Sequence, residues 1–307
     1  MIVYREHKEI NKKKWDDCVN GSPEASVFAL SFYLDAVADN WSGLVLDDYE
    51  AVFPIVSGSK YRIRYIYQPF FTRYFGVFSK VKQGTFNTDT FLNAIPDKFR
   101  YMEFCLHEKS NITLKELDVK ERKYQLLGLN LSYEDLYKSY SENAKRSIKK
   151  AVKEGFVVKE GIDPKLVVDL FRNTKGQELE VFSPADYKKL LKLMDAFAKD
   201  GNAVCPGVYS KEGELVAAGF FMRYGNRYVF LKSGVTDIGK AKGAMHLLFD
   251  NFIRNHSNAS VLLDFGGSSV ESVARFYKNF GAKDCVYLQV KKNRLPGLLN
   301  WIKSLKR

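Results

Sequence analysis

The run VARFYKNFGAKDCVYLQV, residues 273–290, reads as a short amphipathic helix that stops at Gly281 and gives way to a strand. Val273, Phe276 and Phe280 form its apolar stripe, and Tyr277 stands beside that stripe, turned toward its margin. Upstream lie a strand VLLDF (261–265), a helix over 242–255 and, before them, two consecutive hairpins. The segment PGVYS turns through Lys211-Glu212-Gly213-Glu214 into ELVAAGFFMRY, which turns at Gly225-Asn226 into RYVFLKSGV. Residues 208–290 therefore read as an antiparallel meander followed by alternating helices and strands, an α+β (mixed α/β) unit.

Working back from the meander, helices are expected over 163–180 and 184–200, with Ser183-Pro184 as cap and first-turn pair. A long helix over 131–156 precedes them, opened by Ser132 with Asp135 and closed at Gly155. This helix bridges two expected domains, 1–145 and 146–307. The first half opens with an edge strand, MIVYREH, and short helices over 11–19 and 31–40, the second capped by Ser31. Strand-like runs SGLVLDD, YEAVFPIVSG and KYRIRYIYQPF follow, then a short helix after the polar stretch 83–89 and strands over 99–106 and 122–130. Tyr61, Ile63, Tyr65 and Tyr67 alternate with Arg62 and Arg64, which predicts a strand with its tyrosine face buried. LPGLLNWIKSLKR, 295–307, reads as an amphipathic helix packing back on the body.

The 307 residues carry 48 Lys+Arg against 36 Asp+Glu, a formal net charge of +12 that favours anionic ligands or simply a soluble surface. The 46% hydrophobic content, with 23 Phe and 18 Tyr, excludes a disordered chain. No apolar run reaches the roughly 20 residues that span a bilayer, and the N-terminus lacks a signal core, so the expectation is a soluble cytoplasmic protein without stable membrane insertion. Four scattered cysteines and four histidines give no metal-ligand spacing and no disulfide framework, so no metal is expected.

Chemistry concentrates in a few places. The stretch Gly239-Lys240-Ala241-Lys242-Gly243-Ala244 reads as a small, basic turn opening a helix, where Lys240, Lys242, Gly243 and Ala244 can meet a phosphate; an ordinary turn is the alternative. Tyr277 can protonate a leaving thiolate or alkoxide, or simply pack its ring. Asp264 ends a buried strand before Gly266-Gly267 and is either a base for an incoming amine or a cap on the glycine loop. Backbone N–H groups of the strand 228–235 are expected to stabilise an oxyanion. Lys145, Arg146, Lys149, Lys150 and Lys153 lie at helical spacing and form either an anion track or a solvated face. His246 and His256 read as ordinary helix residues.

The basic glycine turn and the run Ala274-Arg275-Phe276-Tyr277-Lys278-Asn279-Phe280-Gly281-Ala282 together resemble the GNAT acyltransferase superfamily, a resemblance that gives Tyr277 the role of acid toward a departing coenzyme A sulfur. A broader resemblance covers nearly the whole chain. SYSENAKRSIKKAVKEGFVVKEG (139–161), LLDFGGSSVESVARFYKNFGA (262–282) and the opening around Trp15 and VFALSFYLDAV are similar to the FemAB-type transferases. That resemblance implies two tandem GNAT-like domains, each a mainly antiparallel twisted sheet flanked by helices. It implies transfer of an acyl group from acyl-CoA (acetyl-CoA), or of an aminoacyl group from aminoacyl-tRNA, to a primary amine on a small molecule or a cell-wall precursor. Peptidoglycan-bridge members commonly carry Phe-Lys where this chain has Phe276-Tyr277. The tyrosine leans toward a thioester donor, and the charge toward tRNA. A non-catalytic GNAT-fold protein binding a ligand or nucleic acid is the competing class. No feature indicates an oligomeric state.

Overall fold

The computed structural model describes residues 1–80, 87–179, 181–267 and 270–295. The helix expected over 295–307 lies, beyond its first residue, outside them. The chain forms two compact units: Met1–Arg122 together with the chain from Val286 onward, and Lys123–Cys285.

The first unit opens with β1 (Ile2–Arg5), α1 (Lys12–Asn20) and α2 (Ser31–Val37). Ser31 is the first residue of α2 and Leu30 its N-cap, so the expected serine cap is corrected. Asp16 supplies the missing acceptor, taking the Ser31 N–H at 2.7 Å and its hydroxyl at 2.6 Å. A carboxylate borrowed from α1 thus does a cap's work. β2 (Trp41–Leu46), β3 (Ala51–Lys60) and β4 (Ile63–Tyr67) form an antiparallel meander with β1 outside β2, and β5 (Phe78–Ser79) pairs with the start of β3. After α3 (Thr88–Asn93), β6 (Phe99–Leu106) runs parallel to β4. Leu44, Phe53, Ile55, Phe91 and Phe104 lie at the centre of this core.

The expected burial of the β4 tyrosines is also corrected. Tyr61 sits in the hairpin corner at φ 52° and is 82% exposed, Tyr65 and Tyr67 are half-buried, and Ile66 on the other face is only 1% exposed. The β3–β4 corner spends Tyr61 and Arg62 on left-handed backbone, and Ile66 is the side chain that reaches the core.

The chain passes into the second unit within β7 (Asp118–Gly128). The expected 131–156 helix is two helices, α4 (Tyr133–Lys138) and α5 (Glu142–Lys153). Ser132 caps α4, as expected, by accepting the Asp135 N–H. The break has a physical cause. Ser141 caps α5 by accepting the Ala144 N–H, while its own N–H and hydroxyl donate to Asn279 O (2.9 Å) and Asn279 Oδ1 (3.0 Å). A serine held this way restarts the helix rather than continuing it.

β8 (Val157–Lys159) and α6 (Pro164–Phe171) follow. The expected 163–180 helix loosens at Arg172–Gly176 into a wide turn, where Thr174 leaves helical geometry and its hydroxyl donates to Leu170 O at 2.6 Å; a single turn, α7 (Gln177–Leu179), follows. α8 (Pro184–Lys199) starts on a Ser183–Asp186 capping box with proline in the first turn. β9 (Ala203–Val204), β10 (Gly207–Tyr209), β11 (Leu215–Tyr224) and β12 (Arg227–Val235) make the meander, then come α9 (Asp237–Lys242), α10 (Ala244–His256), β13 (Leu262–Asp264), α11 (Glu271–Lys278) and β14 (Lys283–Asn293).

The sheet of the second unit runs β7-β13-β12-β11-β10-β8, with β9 on β11, and is antiparallel except where β12 and β13 lie parallel. Its core is aromatic: Phe221 stacks on Phe252 at 3.9 Å between centroids, and Phe230, Phe249 and Phe280 close around them. Burying one such side chain is worth about 2–3 kcal/mol. β14 pairs antiparallel with β6, from Leu288 opposite Leu106 to Asn293 opposite Tyr101, and so completes the sheet of the first unit. No helix among the described residues is long and apolar enough to cross a membrane.

Candidate active site

β12 is the strand on which a site can be built. It pairs with β11 over its whole length, but with β13 only at Arg227, Val229 and the residue between them. From Phe230 onward no strand among the described residues pairs with its β13 side, which leaves peptide N–H and C=O groups facing a fork. A one-residue bulge falls at the same place: Phe230 lies opposite Phe221 and Lys232 opposite Phe220, with Leu231 extra. Bulges re-aim side chains and backbone groups where a sheet must do chemistry. The strand expected to supply N–H donors is therefore the one whose edge opens.

Tyr277, on α11, packs beside this fork through the ring of Phe230. It was expected at the margin of the helix; instead it is the buried residue of α11, 8% exposed, while Val273 and Phe276 are half-buried. The correction follows from its surroundings, since its ring packs on Phe265 (4.8 Å between centroids), Phe249 (6.0 Å) and Phe230 (6.4 Å). An aromatic lining accepts a phenol ring as readily as a benzyl one. Through Phe230 the phenol is keyed to the residue at which β12 and β13 separate.

Asp264 ends β13 opposite Val229, at the last rung before the fork, and is wholly buried. Its Oδ1 accepts the Gly266 N–H at 3.0 Å, and its Oδ2 lies 3.3 Å from Arg227 Nη1. Gly266 and Gly267 adopt φ of 90° and 71°, and a Cβ on Gly267 would stand 2.7 Å from that of Tyr124. Arg227 has no sequence signal beyond opening the strand after a tight turn.

The basic glycine stretch is not a turn. Thr236 accepts the Gly239 N–H, Asp237 occupies the first turn, and the six residues of α9 form a helix that ends on Gly243 at φ 84°. α10 begins at Ala244 with no side-chain cap. Gly243 is glycine for two reasons, the left-handed backbone and a Ser147 carbonyl that a Cβ would approach to 2.4 Å. Lys240 is exposed, whereas Lys242 pairs with Glu154 at 2.8 Å. On α10, His246 packs on Phe276 at 4.7 Å and Phe280 at 5.9 Å, and burial pushes its pKa down to about 4, so the ring is neutral.

The basic stripe on α5 divides in two. Lys145 pairs with Glu142 at 3.0 Å, and Lys150 donates to Ala241 O at 2.9 Å. Arg146, Lys149 and Lys153 are exposed and carry no ion pair among the described residues. Sequence reading passed over Lys232, whose only signal is a lysine inside an otherwise apolar strand. Its Nζ lies 4.0 Å over the Phe171 ring and 4.9 Å over that of Phe182.

Residues 138–279 match the family model described as an acetyltransferase (GNAT) domain. No curated protein matches the chain by sequence. Among solved structures, the crystal structure of FemX is 12% identical, with 94% of this chain and 96% of that one aligned and a TM-score of 0.62. L-PGS from Bacillus licheniformis is 11% identical over 94% of each chain, with a TM-score of 0.55. A tandem GNAT protein from the clavulanic acid biosynthesis pathway is 11% identical over 97% of this chain and 100% of its own, with a TM-score of 0.53. The fold is the FemAB-like, tandem GNAT one that the sequence resemblance implied, an α+β architecture of mainly antiparallel sheets flanked by helices.

Proposed function

We propose, from the GNAT domain matched at residues 138–279, that this protein transfers an acyl group from a thioester such as acetyl-CoA to a primary amine at the fork of β12 and β13. The observation that carries the reading is the opening of β12 at Phe230, with the Tyr277 ring packed on that same residue. A thioester carbonyl laid along the open edge accepts hydrogen bonds from peptide N–H groups fixed before the reaction, which favours the oxyanion over the ground state. The amine nitrogen attacks the carbonyl carbon, the C–S bond breaks, and the Tyr277 phenol gives its proton to the departing sulfur. The nitrogen's own proton passes to water at the open edge. Asp264 serves the reading best in its structural role: with both oxygens engaged by Gly266 and Arg227, it holds the fork open at a fixed width. The opening of α10 at Gly243 and Ala244, with Lys240 and Lys242 nearby, is the proposed place for the donor's phosphates.

A second reading, an aminoacyl-tRNA donor, is favoured by Arg146, Lys149 and Lys153 exposed on α5. Under either donor the acceptor is the amine of a small molecule or a cell-wall precursor, and the work is done in the second unit. A thermal-shift series with acetyl-CoA, longer acyl-CoAs, charged tRNA and UDP-linked precursors ranks the donors, because a ligand bound only by the folded chain raises its melting temperature. Stabilisation by acyl-CoA followed by turnover with an amine supports the first reading. Stabilisation by charged tRNA alone moves the assignment to the second, and binding without turnover of any donor leaves a non-catalytic binding protein.

A further inference from the structure

A cavity of about 450 Å³ opens in the first unit, and Tyr4, Ser42, Ser57, Ser59, Arg64 and Phe99 are among its lining residues. Its volume falls in the range of small-molecule sites. The sheet explains why it is polar. Side chains two apart on a strand share a face. The register sets Ser42 opposite Ile55, Ser57 opposite Ile66 and Ser59 opposite Arg64. The three serines and Arg64 therefore continue the face on which Leu44, Phe53, Ile55 and Ile66 form the core. At the end of that face, hydroxyls and a guanidinium replace aliphatic side chains, a change that burial does not favour. The wall beside them is fixed, since His7 Nε2 and Trp41 Nε1 both meet Asp35 Oδ1, at 3.0 and 2.9 Å.

We propose that this cavity binds a monosaccharide phosphate, with the phosphate at Arg64 and the sugar over the serines. Charge separates its two ends. Arg64 stands on β4, whereas Glu6, also in the lining, directly follows β1, three strand spacings or about 14 Å away at the backbone. Arg64 is exposed and carries no ion pair among the described residues, so its charge is available to an anion. A guanidinium presents paired N–H donors that match phosphate oxygens. The hydroxyls of Ser57 and Ser59 stand on the neighbouring strand and can donate to the same group or to the sugar. Lys8, exposed at the rim, raises the local concentration of anions. Glu6 repels a phosphate but accepts from hydroxyls, so it turns the ligand's hydroxyl end toward β1. Tyr4 and Phe99, 6.1 Å apart between ring centroids, give the cavity an aromatic wall for the apolar face of a sugar ring. An α-amino acid, whose two charges share one carbon, is too short to engage both ends. The site lies in the first unit and is independent of the acyl-transfer reading.

The test is calorimetric titration of the full chain at low salt with glucose 6-phosphate, ribose 5-phosphate, glucose, inorganic phosphate and UDP-glucose. At least one sugar phosphate should bind about tenfold or more tightly than glucose or inorganic phosphate, because only it engages both ends. Arg64→Gln removes the guanidinium and should weaken that ligand about 10- to 100-fold, with the melting temperature of the free protein unchanged. Should this variant fold poorly, the ranking of the five probes on the wild type decides. Inorganic phosphate binding as tightly as the sugar phosphates would reduce the site to a general anion patch. Tighter binding of UDP-glucose would make its ligand a nucleotide-linked sugar, and no heat with either sugar phosphate would leave the serines as a solvated sheet end. Each of these results overturns the inference, as does an Arg64→Gln protein that binds the sugar phosphate as the wild type does.

Discussion

Protonating His246 should loosen the second unit. Its ring lies between Phe276 and Phe280 at the opening turn of α10, where burial disfavours the charged form and takes the pKa from 6.5 down to about 4. In the unfolded chain the same imidazole titrates near 6.5. Between those values the unfolded state binds a proton that the folded state refuses. The stability contributed by the neutral ring is therefore complete above about pH 6.5 and is lost as the pH falls toward 4. A separation of two and a half pH units is worth about 3 kcal/mol in all, of which about 2 kcal/mol is gone by pH 5. Urea unfolding of the wild type and of His246→Leu at pH 7.5, 6 and 5 isolates this contribution, since His107, also held below its ordinary value by burial, is present in both. The wild type should lose about 2 kcal/mol more than the variant between pH 7.5 and 5. Parallel pH slopes in the two proteins would refute the reasoning.

Three further outcomes are expected. Tyr277→Phe should lower turnover about 100-fold while leaving the donor-induced melting shift intact, and unchanged turnover would remove the phenol from the chemistry. Gly243→Ala places a Cβ against the Ser147 carbonyl on left-handed backbone, and should cost about 2 kcal/mol or more in thermal or urea unfolding; a neutral result would mean that α5 and α10 can part there without cost. Ser141→Ala removes the cap that restarts α5 and the hydroxyl bond to Asn279, for a loss of about 1 kcal/mol in the same assay. An unchanged midpoint would assign the break between α4 and α5 to something other than Ser141.

What the sequence made legible was mostly local. The two hairpins at 211–214 and 225–226, the Ser183-Pro184 start of α8 and the Ser132 cap of α4 depend on residues within four positions of one another, and each formed where expected. The helix break at Ser141 depends on Asn279, 138 residues away, and neither serine nor asparagine signals it alone. Tyr277 illustrates a different limit. Helical periodicity identified a boundary residue, but which side of a boundary is buried was settled by Phe230, on β12, and Phe265, the residue that follows β13. Lys232 was illegible because a bulge inverts the alternation from which a strand's faces are read. The basic stretch at 239–244 was recognised by composition, yet Thr236 and Asp237 carried the helix signal that made it α9 rather than a turn.

The pairing of β14 with β6 bears on how the polypeptide matures as it leaves the ribosome. Strand β6 is finished by residue 106, but the neighbour it hydrogen-bonds along Tyr101 to Leu106 arrives only with residues 288–293. For the time it takes to synthesise the intervening chain, that margin presents unsatisfied amides and carbonyls to water or to a chaperone. A nascent chain stalled before residue 288 should be sticky and protease-sensitive in its first hundred residues, and release of the last strand should cure both defects at once.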